Sequence, residues 1–419
     1  MKHTLAQKIL QRHTGDAITA DGQIAVCKVS LVLANDITAP LAAKSFYAMG
    51  ATKVFDKDKV VLVSDHFTPN KDIASAEQVK VVREFARAMG LTHYYEGGAA
   101  GVEHALLPEL GLVGPGDIVV GADSHTCTYG GLCAFATGMG STDAAAAMAL
   151  GETWFKVPPT IRVDISGEPA PFVGGKDLIL NVIGRIGVAG ARYKALEFGG
   201  DAIDALSVEG RMTMANMAIE AGGKVGLFAA DEKTLAYCSA RGRTGDALLA
   251  PDDGAIYERR LAIDAASLSP QVACPHLPDN VRPVEECRDV KIDQAVIGSC
   301  TNGRIEDLRV AAAVLKGKKA DKNVRLIVLP ATPGIWKQAL KEGLLEIFMD
   351  AGAVVGPATC GPCLGGHMGI LASGEVCVAT TNRNFRGRMG SLDSRVYLAG
   401  PAVAAASALA GHIIHPGKV

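Results

Sequence analysis

Apolar residues along this chain follow two rhythms. Short blocks rich in β-branched residues, "KVVLVSDHF", "THYYE", "GDIVVGADSHT", "KIDQAVIGSC" and "VRLIVLP", read as strands. Between them lie segments whose apolar positions recur three and four residues apart: "SAEQVKVVREFARAMG", "STDAAAAMALGETWF", "RIEDLRVAAAVLKG" and "GIWKQALKEGLLEIFMDAG". That spacing puts apolar side chains on one face of a helix. The opening segment, "MKHTLAQKILQRHTG", predicts an amphipathic helix with charges throughout. Short strands alternating with longer helices predict α/β layers.

A chain of 419 residues is long for a single core. Two stretches read as boundaries, the proline pair in "KVPPTIRVDISGEPAP" and the polar, proline-rich "ACPHLPDNVRPVEEC". They predict three units, 1–158, 159–284 and 285–419.

Charge narrows the function classes. Lys and Arg number 42 against 44 Asp and Glu, a net of −2. No strong field draws nucleic acid or an anionic membrane, and the basic run "LKGKKADK" reads as solvated surface. The N-terminus lacks the apolar core of a signal peptide, and "AVAAASALAG" is too short to span a bilayer. The expectation is a cytoplasmic protein without a membrane or nucleic-acid partner. Ten cysteines in that setting read as reduced thiols or metal ligands.

Polar residues collect where strands end. Asp65 and His66 follow "VVLVS", Asp123, Ser124 and His125 follow "DIVVGA", and Cys300 follows "AVIGS". In layered α/β proteins ligands bind at the carboxyl ends of strands. Buried Asp, Ser and His also need partners, so these clusters predict a site.

The cysteine pair in "GPATCGPCLGG" leaves several readings open. A thioredoxin-like dithiol would start a helix, but the glycines after Cys363 disfavour a long one. Zinc would ask for further ligands, and no second C-x-x-C exists. Two unligated buried thiols are a third reading. The fourth adds Cys300, placed at a strand end ahead of a helix. Three cysteines would hold a [4Fe–4S] cluster with one iron lacking a thiolate and open to substrate as a Lewis acid. Of the other cysteines, Cys127 and Cys133 flank the "GADSHT" loop, while Cys27, Cys238, Cys274, Cys287 and Cys377 read as small packing residues.

Taken together and in order, "VVGADSHTCTYGGLCAFATGMGSTD", "GSCTNGRIEDL", "CGPCLGG" and "TTNRNFRGR" resemble the aconitase superfamily over the whole chain. The resemblance implies a three-domain α/β/α layered architecture with the cluster at the domain junction. It implies a hydro-lyase that dehydrates and rehydrates a 2-hydroxy diacid. One [4Fe–4S] cluster per subunit would sit on Cys300, Cys360 and Cys363, with one iron open. Asp65, His66, His104, Asp123, His125 and Glu220 fall on catalytic positions. Ser124, Asn216, Asn382, Arg383 and Arg388 fall on positions that bind substrate or lie near the cluster. Without the resemblance Glu220 would read as a solvent-facing carboxylate.

These residue types suit that chemistry. Hydroxide is a poor leaving group, so an acid such as His66 would protonate the departing oxygen, with Asp65 setting its tautomer. Planar, permanently charged Arg383 and Arg388 match substrate carboxylates.

Two departures from the family stand out. Pro40 in "NDITAP" replaces a glutamine that would contact citrate. The mobile swivel domain with the serine base is not in this sequence, so the resemblance implies a separate small subunit that caps the site and supplies the base. Two competing classes remain, an RNA-binding regulator formed on cluster loss and a zinc or dithiol protein built on "CGPC".

Overall fold

A computed structural model describes residues 2–419. The chain packs into two compact units. The first takes the chain up to Ala99, then Leu106–Ser166 and Ala191–Ile263; the second takes Ala100–Ala105, Gly167–Gly190 and Asp264–Val419.

In the first unit a five-stranded parallel sheet runs in the order His93–Tyr95, Val60–Val63, Leu31–Asn35, Ile118–Gly121, Phe135–Gly138. Every residue of Leu31–Asn35, Val60–Val63 and Ile118–Gly121 is buried. That explains their unbroken apolar runs, because a parallel sheet is covered on both faces. The helix Ile73–Met89 buries Val79, Val82 and Phe85, and Asp72 caps it by accepting the Ser75 N–H at 2.7 Å. A second sheet orders Val225–Phe228, Ala195–Gly199, Thr160–Ser166 and Arg259–Asp264.

The second unit is built on seven strands. Arg395–Ala399, Val376–Ala379, Gln294–Ile297, Arg325–Val328 and Val354–Val355 run parallel, and Gln271–Ala273 and Val281–Pro283 close one edge antiparallel. The helices Ile305–Leu315 and Pro401–Ala410 contribute Leu308, Ala312, Val403 and Ala404 to its core.

Two expected helices come out differently. "STDAAAAMALGETWF" is helical only over Ser141–Leu150. Gly151, at φ 72°, ends it, and Glu152–Lys156 pairs antiparallel with Ile24–Lys28. "GIWKQALKEGLLEIFMDAG" is two helices, Pro333–Lys341 and Leu344–Asp350, parted by Gly343 at φ 73°. In both places glycine takes a left-handed turn that apolar spacing does not reveal. Among the described residues no helix is long and apolar enough to cross a membrane.

Candidate functional site

The first unit gathers histidines and carboxylates at the carboxyl edge of its parallel sheet. Leu31–Asn35 and Val60–Val63 lie side by side in register Asn35↔Val63, so Asp36 is delivered next to the Asp65–His66 turn. The buried Asp36 carboxylate accepts the backbone N–H groups of Asp65 at 3.0 Å, His66 at 2.9 Å and Phe67 at 2.8 Å. Asp65 Oδ1 lies 2.6 Å from His66 Nδ1. A carboxylate can only accept, so Nδ1 carries the proton and Nε2 is left to take or give one. Asp123 Oδ2 stands 3.7 Å from that Nε2. Asp36, Asp65 and His66 are close enough to share a cation, but their ligand atoms already hold each other and the turn.

Asp123 leaves the next strand, Ile118–Gly121, and its carboxylate accepts the His125 N–H at 2.7 Å. His125 Nε2 meets Glu220 Oε1 at 2.9 Å, and Glu220 is buried rather than solvent-facing. Asn216 donates from Nδ2 to Thr128 Oγ1 at 2.7 Å, and that hydroxyl donates to the His125 carbonyl at 2.6 Å. The glycines of "TYGGL" permit this density: a Cβ on Gly130 would lie 1.8 Å from the Gly226 carbonyl oxygen. Ser124 is half-buried beside them. Cys127 joins the group through the Asn216 carbonyl at 3.3 Å, whereas Cys133 sits in the apolar core.

The second unit holds the sulfurs. The buried strand Gln294–Ile297 leads through Gly298, at φ 150°, and Ser299, at φ 78°, into the turn Ser299–Asn302 that carries Cys300. A Cβ on Gly298 would meet the Leu329 carbonyl oxygen at 2.6 Å, so only glycine allows this approach. Thr380, at the end of the neighbouring strand, locks the turn by accepting the Gly298 N–H and donating to its carbonyl, both at 2.9 Å. Two residues on, Asn382 joins two thiols: its Nδ2 donates to Cys300 Sγ at 3.3 Å, and its Oδ1 accepts from Cys363 Sγ at 3.4 Å. Ser299 Oγ is 3.7 Å from each of the same sulfurs. Cys360 and Cys363 belong to one tight turn, Gly361–Leu364, in which the Cys363 N–H reaches the Cys360 carbonyl at 3.0 Å. A short 3₁₀ turn follows the pair instead of a long helix, as the glycines predict.

Around this cage Arg388 Nη2 lies 3.9 Å from Cys363 Sγ, and Arg383 is half-buried. His104 is buried with Nε2 3.4 Å from Glu103 Oε1. Cys300, Cys360 and Cys363 are all buried, and no cysteine is in a disulfide among the described residues. Among the packing cysteines, burial pushes the thiols of Cys133 and Cys377 up to about 12, which keeps them protonated and inert.

Three side chains in these clusters drew no attention in the sequence: Asp36, Ser299 and Lys176. Lys176 is buried on the helix Gly175–Ile186 and donates to the carbonyls of Thr380 at 2.8 Å and Thr381 at 2.5 Å. Asp36 had a signal, since it too follows a strand.

Whether the sulfurs suit an iron–sulfur group can be judged from their surroundings. Asn382 and Ser299 link the Cys300 and Cys363 sulfurs, Cys360 lies in the same glycine-bearing turn as Cys363, and the buried Lys176 holds the strand end before Asn382. Asn302 Oδ1 and Thr381 Oγ1, neighbours of Cys300 and Asn382 in the chain, are buried without a partner among the described residues. A thiolate-ligated cluster suits that donor set.

Comparison with known proteins agrees. The model of the aconitase family (aconitate hydratase) matches residues 7–289 and 285–411, and the chain belongs to that family. Membership implies a [4Fe–4S] cluster. The 3-isopropylmalate dehydratase large subunit of Nitratidesulfovibrio vulgaris (strain DSM 19637 / Miyazaki F) is 75% identical over 419 residues, all of both chains. Proteins of the same description from Moorella thermoacetica and Desulfatibacillum aliphaticivorans are 62% and 61% identical, again over the whole of both chains. Among solved structures, the holo-form of Thermococcus kodakaraensis aconitase X aligns with a TM-score of 0.52 at 17% identity, covering 88% of each chain, which supports the layered α/β fold. The relatives' designation as a large subunit implies a small-subunit partner.

Proposed function

We propose that this chain is the large subunit of an iron–sulfur hydro-lyase that interconverts 2-isopropylmalate and 3-isopropylmalate by dehydration and rehydration. The carrying observation is the buried Cys300–Asn382–Cys363 bridge beside the Cys360 turn, in a chain that matches dehydratase large subunits from end to end. Cys300, Cys360 and Cys363 would hold the cluster, which when bound supplies a Lewis-acidic iron that carries no cysteine.

The chain's own residues hold and move protons. His66, with Nδ1–H fixed on Asp65, presents Nε2 as the acid that protonates the departing hydroxyl and recovers its proton on rehydration. Asp123 Oδ2 faces that nitrogen at 3.7 Å. His125 is held by Glu220 and serves with Ser124 and Asn216 to orient substrate. Arg383 and Arg388 bind substrate carboxylates, Asn382 steadies the sulfurs, and His104 completes the set. A small swivel-type subunit would supply the base that takes the carbon-bound proton. A division near 158 is supported by the sheets, the five-stranded one falling within 31–138 and the four-stranded one within 160–264, whereas the seven-stranded sheet runs from 271 to 399 and gives no support to a division at 284.

Activity tests this reading. The purified chain is mixed anaerobically with its small subunit and given 2-isopropylmalate, homoaconitate or 2,3-dimethylmalate. Turnover fastest on isopropylmalate and absent from the chain alone is expected. Turnover by the chain alone, or preference for another diacid, would refute the partner or the substrate assignment respectively.

A further inference from the structure

Lys176 is an ammonium group with 2% exposure, and among the described residues no carboxylate lies within ion-pair distance. Burying a charge in this way is costly and is ordinarily avoided or offset by a paired acid. Its visible partners are neutral: the carbonyls of Thr380 and Thr381, which close the strand Val376–Ala379 just before Asn382. The Thr380 carbonyl also accepts from Thr301 Oγ1 at 2.5 Å, one residue after Cys300. Lys176 thus anchors the segment that carries Asn382, and the Thr301 hydroxyl joins that segment to the turn that carries Cys300.

The carboxyls in its neighbourhood are engaged elsewhere. Asp177 accepts the N–H groups of Gln271 at 2.7 Å and Gly174 at 2.9 Å. Asp307 accepts from Asn302 at 2.8 Å and from the Arg304 N–H at 3.0 Å. Burial pulls the Lys176 ammonium down to about 8, and the Cys363 and Cys300 thiols act most strongly in the opposite direction. Asp307 and Asp177 act in the same direction behind the sulfurs, and among the described residues none of these groups forms an ion pair with Lys176.

Resting on the cluster reading above, we infer that Lys176 is a positioning residue for the iron–sulfur group. It orders the Thr380–Asn382 segment against Cys300, and its fixed positive charge balances the thiolate-ligated cluster. A cation close to a cluster favours the reduced, more negative form, so its removal lowers the reduction potential.

The test is an EPR-monitored redox titration of the anaerobically reconstituted chain in four forms: parent, Lys176→Gln, Lys176→Met and Lys176→Arg. Both neutral variants should fold, because an uncharged side chain is cheaper to bury than an ammonium. Their potentials should lie clearly below that of the parent, with Lys176→Arg close to it. A parent that gives no cluster signal would refute the cluster reading itself. A parent signal with unchanged potentials in Lys176→Gln and Lys176→Met would overturn only the role of Lys176. Loss of fold in both neutral variants, rescued by arginine, would also overturn it and reduce Lys176 to a packing role.

Discussion

The histidine–carboxylate group and the sulfur cage stand at the same kind of place, the carboxyl edge of a buried parallel sheet, yet they are finished differently. The first is closed by its own hydrogen bonds. Asp36 holds the turn, Asp65 holds His66, and Glu220 holds His125. The second has a positive-φ Ser299, the Asn302 Oδ1 and Thr381 Oγ1 atoms buried without a partner among the described residues, and a buried Lys176 ammonium that donates to two carbonyls. A site that manages protons needs its donors fixed in advance, and the chain alone can fix them. A site that holds a cofactor is complete only with the cofactor, so its apo form leaves groups that the cofactor would engage.

The comparison can be broken in three ways, from the largest effect down. Replacing His66 with Gln leaves the Asp36-held turn intact but removes the titrating nitrogen. Steady-state assay of the two-subunit enzyme should show kcat lower by about 10²- to 10⁴-fold, with cluster content unchanged. A loss of iron instead would mean that the two regions are not separable. Asp36→Asn removes the charge and one of the oxygens that accept three N–H groups, leaving buried donors unsatisfied. Denaturant unfolding should show a loss of about 1–3 kcal/mol. Finally, cluster removal should act on one region only. Hydrogen exchange at residues 298–303 and 359–366 should quicken by about tenfold or more in the apo form, while residues 65–67 and 123–128 keep their protection. Equal loosening of both would contradict the view that the histidine group is self-sufficient.

The sequence made one part of this plain and hid another. Asp65, His66, Asp123 and Cys300 were legible because ionisable side chains interrupt apolar strands where such chains end. The strands themselves were legible because burial on both faces forces continuous apolar runs. Asp36 was passed over in "LVLANDITAP", where an Asp after an Asn reads as an ordinary turn. Lys176 was invisible because a lysine beside glycines at a helix start normally faces water. Its burial is set by Thr380 and Thr381, more than two hundred positions away in the chain. Glu220 was placed only by resemblance, since its partner His125 lies on a distant segment. Long-range pairing of this kind leaves no local pattern. The early helix stops at Gly151 and Gly343 show the same limit on a smaller scale.

The central claim, that Cys300, Cys360 and Cys363 hold the cluster of a hydro-lyase, is met most directly by counting iron and acid-labile sulfide after anaerobic reconstitution. The parent chain and Cys377→Ala, whose thiol only packs the core, should each carry about four iron and four sulfide. Cys300→Ser, Cys360→Ser and Cys363→Ser should each fall well below that and lose turnover with the small subunit. Full iron in any of those three variants, or stoichiometric zinc in the parent, would contradict the account.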